Sequence, residues 1–184
     1  MRSGINKIFL ILVFCLGAAA CGEEPSGNTA FEKGATPDEV FEDFVTQESD
    51  SGRVRWKLTA PLANRFNSKN LVLMDNPKIE FFSQTGELET TLTSDKGEYY
   101  QNTRDMLSYG NVVVVSTEGD VLETDSLLWV NKLNKIISHC FVTLKRGRDV
   151  MTGIGLECDQ DLSSVDIKEQ VEAKIIDEKG SQDE

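Results

Sequence analysis

The sequence has few of the residues on which catalysis and metal binding usually depend. Histidine occurs once, at His139, so a histidine-rich metal site is excluded and a Ser-His-Asp triad would have to use this one residue. The sequence contains neither G-x-S-x-G nor HExxH, and no glycine-rich loop that would cradle a phosphate. Gly153 and Gly155 are too few for a dinucleotide fingerprint. The sequence therefore predicts a protein that is not an enzyme and that needs no metal or cofactor.

Positive charge is also scarce. The chain has 19 Lys and Arg against 31 Asp and Glu, a net charge of −12. This excess of acid disfavours nucleic acid as a partner, because phosphate contacts need basic side chains. Pairs of acids two residues apart, such as Glu123 with Asp125 and Asp159 with Asp161, share one face of a strand. A solvated polar surface explains them better than acid–base catalysis does.

The apolar run near the N-terminus is shorter than the roughly 20 residues that span a bilayer. Arg2 and Lys7 precede the apolar residues Ile8 to Leu16, and the small residues 17–20 follow them. This order predicts a signal peptide over residues 1–20, with a short uncleaved anchor helix as the alternative. Cleavage would remove two positive charges and no acid, so the mature net charge would be −14.

Cys21 directly follows three alanines, which is the pattern of a bacterial lipobox, although Ala18 stands where leucine is usual. This pattern predicts that the Cys21 thiol is lipidated. Several acyl chains on one residue would anchor the protein firmly, because each buried methylene contributes about 0.8 kcal/mol. Gly22 does not resemble the aspartate associated with retention in the inner membrane. The residue after Cys21 therefore does not decide between the inner and the outer membrane as the target. Cys140 and Cys158 would either form a disulfide or remain free thiols.

The composition divides the chain into a linker, one domain and a tail. Residues 21–37 are rich in Gly, Pro, Ser, Thr and Glu and are predicted to form a flexible linker. Residues 177–184 are predicted to be a disordered acidic tail, which leaves residues 38–176 as the folded domain. Strict alternation of apolar and polar residues dominates that domain and predicts an all-β fold. The segment Asp38 to Val45 could be either a helix or the first strand.

An internal repeat of about 30 residues is the most informative feature of the domain. Leu107, Ile137 and Ile167 recur at a spacing of 30, and Tyr99 and Trp129 do the same. Such a unit cannot bury its apolar face alone, so neighbouring units are expected to stack into an antiparallel array of strands. The alternative is a plain β-sandwich whose strand spacing imitates a repeat. The apolar face would form either a groove suited to acyl chains or a closed core.

Several motifs, in their order along the chain, resemble the LptC family of periplasmic lipopolysaccharide-export components. They are W-K-L-T-A (56–60), L-T-S-D-K-G-E-Y-Y (92–100), L-S-Y-G-N-V-V-V-V (107–115), E-G (118–119), L-E-T-D-S-L-L-W (122–129) and M-T-G-I-G-L-E (151–157). The resemblance covers about residues 38–176. It implies a β-jellyroll, a twisted boat of antiparallel strands whose apolar interior shelters the acyl chains of lipid A.

The same resemblance implies a function and partners. The protein would receive lipopolysaccharide from an inner-membrane ABC transporter of the LptB/LptF/LptG type, pass it to an LptA-like protein and make no covalent change. The implied groove consists of Trp56, Leu58, Leu73, Phe81, Leu92, Tyr99, Leu107, Val112, Val114, Leu122, Trp129, Val142 and Leu144. The implied partner edges contain Phe41, Phe44 and Val45 on the transporter side and Val165, Ile167, Val171 and Ile175 on the LptA side.

The anchor is the point where the chain departs from this family. Familiar members keep an uncleaved transmembrane helix, whereas Cys21 predicts a lipid anchor here. We expect the protein on the periplasmic side of the inner membrane, with the lipid anchor favoured over a helix. Two other functions stay open: a structural envelope lipoprotein with a closed β-sandwich that binds a protein partner, and an inhibitor or chaperone that acts by strand addition.

Overall fold

The computed structural model describes residues 36–174. The predicted signal peptide, Cys21, nearly all of the linker, Ile175 and the acidic tail lie outside the described residues. Apart from the short 3₁₀ helix Asn67–Lys69, every regular element within residues 36–174 is a β-strand, and all strand pairs are antiparallel. The all-β prediction is therefore confirmed, and the segment Asp38 to Val45 leads into a strand that begins at Glu39 rather than into a helix.

Eleven strands form one sheet in the described part of the chain. They are β1 (Glu39–Asp50), β2 (Arg53–Phe66), β3 (Leu71–Asp75), β4 (Lys78–Phe82), β5 (Leu88–Thr93), β6 (Lys96–Tyr100), β7 (Asp105–Ser116), β8 (Val121–Val130), β9 (Lys135–Arg146), β10 (Asp149–Asp159) and β11 (Val165–Lys174).

Long and short strands have different places in this sheet. The long strand β2 pairs with β4 through residues 56–59 and with β3 through residues 62–66. In the same way β7 pairs with β6 through residues 105–109 and with β5 through residues 113–116. The short strands therefore define two halves of the sheet, half A around β3 and β6 and half B around β4 and β5. The long strands bend in the middle and run through both halves.

The bends occur where the ladder of backbone hydrogen bonds is interrupted. In β7 the register shifts between Tyr109 and Val112, where Gly110 has a φ of 74° and Asn111 a φ of 48°. The Asn111 side-chain amide donates to Asp95 Oδ2 at 2.7 Å, and a Cβ atom on Gly110 would lie 2.9 Å from the same oxygen. Glycine is thus required here both for its backbone conformation and for the close approach of Asp95.

The strand lengths explain the repeat in the sequence. The strands β7, β9 and β11 begin at residues 105, 135 and 165, and they run in the same direction because every second strand of an antiparallel array does. One period of 30 residues is therefore a strand, a turn, the returning strand and a second turn. The repeat reflects the pairing of hairpins side by side in the sheet.

The core lies between the two halves, which fold towards each other about the line of bends. Trp56 belongs to half B and Trp129 to half A, yet their rings are 6.0 Å apart at an interplanar angle of 74°. The core also contains Phe81, at 0% exposure, and Ile136, at 0%. Burial of these large side chains, at roughly 25 cal/mol per Å² of apolar surface, holds the two halves together.

Candidate functional site

Most residues of the predicted groove line the interior between the two halves. Ten of them are at most 1% exposed: Trp56, Leu58, Phe81, Leu92, Val112, Val114, Leu122, Trp129, Val142 and Leu144. They come from β2, β4, β5, β7, β8 and β9, so the apolar interior extends across most of the sheet. The sequence pattern thus identified the inward face of these strands. Contact of these residues with lipid stays a prediction.

An aromatic cluster joins the two halves inside this interior. Tyr99 is half-buried and packs against the core, with its ring 5.7 Å from that of Trp56. The Phe81 and Trp129 rings are 5.2 Å apart. Burial raises the pKa of the Tyr99 phenol, so this hydroxyl stays neutral. The interior therefore contains polar aromatic atoms as well as aliphatic surface.

Two residues of the predicted groove lie on the outer face instead. Leu73 alternates with the buried Val72 and Met74, and Leu107 alternates with the buried Met106 and Ser108. The expectation that Leu73 and Leu107 face the interior is corrected by these burial patterns. Because side chains of a strand alternate between faces, an error of one residue moves a side chain to the opposite side.

Polar contacts close the opening between the ends of the two halves, which we call the mouth. Arg104 Nη1 of half A lies 3.1 Å from Glu48 Oε1 of half B. The Arg55 guanidinium donates to Asn134 Oδ1, and the Thr90 hydroxyl donates to the carbonyl oxygen of Gln160 at 2.6 Å. The apolar interior is therefore a closed core in this structure, and a lipid chain could enter from this side only if these contacts opened.

An open polar cavity of about 670 Å³ lies along part of the mouth. Arg53 and Arg55 line it from β2, and Asp159 and Asp161 line it from the end of β10 and the following turn. The sequence did not identify the mouth residues, because their partners are distant along the chain. Arg55 and Asn134 are 79 residues apart, and no local pattern predicts such a contact.

The two terminal strands of the described sheet each have one unpaired edge. Within residues 36–174, β1 pairs with β2 alone and β11 with β10 alone. Such an edge exposes backbone donors and acceptors to which a further strand can add. The exposed side chains on these strands include Val45, at 58% exposure, and Val171, at 56%.

The other predicted edge residues point partly into the core. Phe44 is 8% exposed, and its ring is 5.7 Å from that of Phe41, which packs against the core. Val165 and Ile167 of β11 also pack against the core. These side chains fix the terminal strands in place, whereas a partner strand would meet their backbones. Ile175 lies outside the described residues.

Both cysteines of the described domain are free thiols. Cys158 is fully buried, and burial raises the pKa of its thiol from the ordinary 9.0 to about 12, with Asp159 adding to the effect. Since the folded-state pKa is the higher one, the stability linked to this thiol is complete below pH 9 and is lost between about pH 9 and 12.

This burial leads to a test by alkylation. At pH 8 iodoacetamide should modify the half-buried Cys140 and leave Cys158 unmodified, because the reactive thiolate is scarce and shielded. Peptide mass mapping would measure the two yields, and unfolding in urea should make both cysteines react. Equal labelling of the two thiols in the folded protein would contradict the placement of Cys158.

Residues 36–174 contain neither a cluster of metal-ligating side chains nor a membrane-spanning helix. No group of three or more His, Cys, Asp and Glu side chains within residues 36–174 could hold a metal ion. In the same residues no helix is long and apolar enough to cross a bilayer.

Two comparisons connect the chain with known proteins, while no curated protein matches it. The fold is similar to the crystal structure of LptH from Pseudomonas aeruginosa, described as the LptA-homologous periplasmic component of the conserved lipopolysaccharide transport device. The TM-score is 0.52 at 11% identity, over 66% of this chain and 95% of LptH, which supports the β-jellyroll fold. The family described as "Lipopolysaccharide-assembly, LptC-related" matches residues 8–176, and this confirms the resemblance seen in the sequence. The chain belongs to this LptC-related family of lipopolysaccharide-assembly proteins.

Proposed function

We propose that the protein is a bridge component of lipopolysaccharide transport that passes its ligand through the apolar interior. The observation that carries this proposal is the continuous interior between halves A and B, which ends at strands with unpaired edges, in a chain of the LptC-related family. The acyl chains would lie among the side chains of the interior, and the sugar head would stay outside the mouth. The transfer involves no covalent change.

The two edges would give the transfer a direction. The β1 edge, near Phe41, Phe44 and Val45, would dock on an inner-membrane ABC transporter of the LptB/LptF/LptG type. The β11 edge, near Val165, Ile167 and Val171, would continue into an LptA-like periplasmic protein. Strand addition at each edge would align the interiors of neighbouring proteins, because main-chain hydrogen bonds fix the register.

The protein would act at the periplasmic face of the inner membrane. Cys21 would provide a lipid anchor, and residues 22–37 a flexible connection to the domain. Mass spectrometry of the mature N-terminus tests the anchor directly. An acylated cysteine at the first position is the expected result, and an intact residue 1–20 segment would favour the uncleaved helix.

Photo-crosslinking from Tyr99 tests whether the interior binds lipid. With p-benzoylphenylalanine in place of Tyr99, irradiation should capture lipopolysaccharide in cells, because this half-buried ring packs against the core. The same replacement at Tyr100 is a matched control, because the next residue of β6 points to the outer face. Immunoblotting for lipopolysaccharide measures the adduct, and equal capture at both positions would exclude a specific site in the interior.

Single prolines in β11 test the docking edge. The amide groups of neighbouring residues in a strand point to opposite edges, so those of Glu172 and Ala173 point one to β10 and one outward. We expect proline at the outward position to abolish binding of the LptA-like partner while leaving the melting temperature nearly unchanged. Proline at the other position should lower the melting temperature, because it removes a hydrogen bond to β10. Pull-down and thermal unfolding of both variants separate the two effects, and undiminished pull-down by both would remove β11 as the docking edge.

The closed mouth favours a second candidate function, a structural envelope lipoprotein that binds a protein partner. Under this interpretation the interior is a permanent core, in which Leu58 and Val142 are both 0% exposed. The Tyr99 experiment separates the two functions, since a permanent core would capture no lipid at that position.

A further inference from the structure

Five buried side-chain atoms have no hydrogen-bond partner within residues 36–174, and four of them belong to residues near the mouth. The five atoms are Glu48 Oε2, Trp56 Nε1, Arg65 Nε, Trp129 Nε1 and Asn131 Oδ1. A buried polar atom without a partner is unfavourable, because it loses its hydrogen bonds to water and gains none in return. Four such atoms near one place in a small domain call for an explanation.

Four of these five residues lie close together. Glu48 on β1 lies opposite Trp56 on β2, and the Trp56 ring is 6.0 Å from that of Trp129. Asn131 follows Trp129 by two residues, in the turn that ends at Asn134. We call Glu48, Trp56, Trp129 and Asn131 the portal residues. Arg65, which has the fifth atom, belongs to half A, and its guanidinium contacts Glu39 and the Phe41 ring on β1 rather than the portal residues.

The portal residues lie next to the contacts that close the mouth. Glu48 uses its other oxygen, Oε1, in the ion pair with Arg104. Asn131 belongs to the same turn as Asn134, which accepts from the Arg55 guanidinium. The unpaired atoms thus occur where a lipid with its chains inside and its head outside would have its acyl linkages. Aromatic faces nearby offer these N–H groups only a weak acceptor.

We propose that the portal residues form a subsite for the linkage oxygens of an acylated amphiphile, an inference that rests on the proposed function. The indole N–H groups of Trp56 and Trp129 would donate to ester or amide carbonyls or to hydroxyl groups at the head of the acyl chains. Glu48 Oε2 and Asn131 Oδ1 would accept from hydroxyl or amide N–H groups of the same ligand. A plain hydrocarbon would leave all four atoms unpaired, so the site selects acylated lipids over alkanes.

The indole groups permit a direct test by NMR, because the chain has only two tryptophans. In ¹⁵N-labelled full-length protein the two indole N–H resonances are assigned with Trp56→Phe and Trp129→Phe. Saturation with purified lipid A should move both proton resonances downfield, as hydrogen bonding does, and saturation with dodecane should not. A further arm with phosphatidylethanolamine shows whether the linkage oxygens of a phospholipid serve equally well.

Affinity provides a second measurement. Each Trp→Phe variant should bind lipid A about five- to tenfold more weakly, as expected for one lost hydrogen bond, with little change for dodecane. Phe81→Leu is the control, because it shrinks the same aromatic cluster without removing a donor and should weaken both ligands alike.

Two results would overturn the proposal in different ways. If lipid is captured at Tyr99 while both indole resonances stay unmoved, the portal subsite is wrong and the proposed function stands. If lipid is captured nowhere in the interior, the proposed function fails and the subsite with it. The titration of the unmodified protein decides the first case even where a tryptophan variant does not fold.

Discussion

Replacing Trp129 by alanine should lower the free energy of unfolding by about 3–5 kcal/mol, the range for truncating a buried aromatic side chain. Trp129 is 1% exposed, and its ring contacts both Trp56 and Phe81, which belong to the other half of the sheet. The truncation therefore removes contacts within one half and also between the two. Because domains of this size are stable by only about 5–15 kcal/mol, the loss would be a large part of the total.

Urea unfolding followed by far-UV circular dichroism measures this effect. Leu107→Ala is the matched control, since Leu107 lies on the neighbouring strand β7 but faces outward and is only partly buried. We expect it to cost about 1 kcal/mol or less, as substitutions away from the core usually do. Similar losses for the two variants would show that the interior contributes no more to stability than the outer face.

The alternation of apolar and polar residues along single strands allowed much of the fold to be predicted. In β8 the residues Leu122, Thr124, Leu127 and Trp129 are buried and their neighbours are not, and the pattern is visible in the sequence. It is interrupted between Thr124 and Leu127, where the strand bends and its register with β9 shifts. Local patterns predict the strands well, because each part of a strand on either side of the bend has one buried face and one solvent-exposed face.

The inward or outward direction of short strands was harder to predict. Leu73 belongs to the five-residue strand β3, in which Leu71 and Val72 are both buried, so alternation gives no clear phase. Leu107 shares its spacing with Ile137 and Ile167, yet Ile167 packs against the core whereas Leu107 does not. The repeat results from the lengths of the strands and turns. Which face of a strand is buried depends on its pairing with the neighbouring strands.

The mouth could not be predicted from the sequence at all. Its contacts join residues such as Glu89 and Gln160, which meet at 2.9 Å although they are 71 residues apart. Each is a polar residue near the end of a strand, where polar residues are common. Their partners depend on how far the two halves close about the bends, which is a property of the folded sheet.

Locking the mouth should abolish the capture of lipopolysaccharide by the interior. Glu48 and Arg104 would both be replaced by cysteine and joined by a short bis-maleimide, in a Cys140→Ala background that removes the half-buried native thiol. The Glu48–Arg104 ion pair, at 3.1 Å, shows that these side chains meet across the mouth. Capture at Tyr99 would then be compared between cross-linked protein and protein in which each new cysteine carries a single maleimide.

The comparison separates two routes for the lipid. An amphiphile with its acyl chains inside and its sugar head outside must occupy the mouth along its whole path, so a covalent bridge across the mouth would block it. Singly modified protein lacks the same ion pair and the same Glu48 carboxylate but has no bridge, so we expect it still to capture lipid where the cross-linked protein captures none. The Arg104 side chain of this ion pair is 55% exposed whereas Glu48 is 15% exposed, so solvent screens the pair only from the Arg104 side. Full capture by the cross-linked protein would instead mean that chains enter at the ends of the sheet, past β1 or β11, while the mouth stays shut.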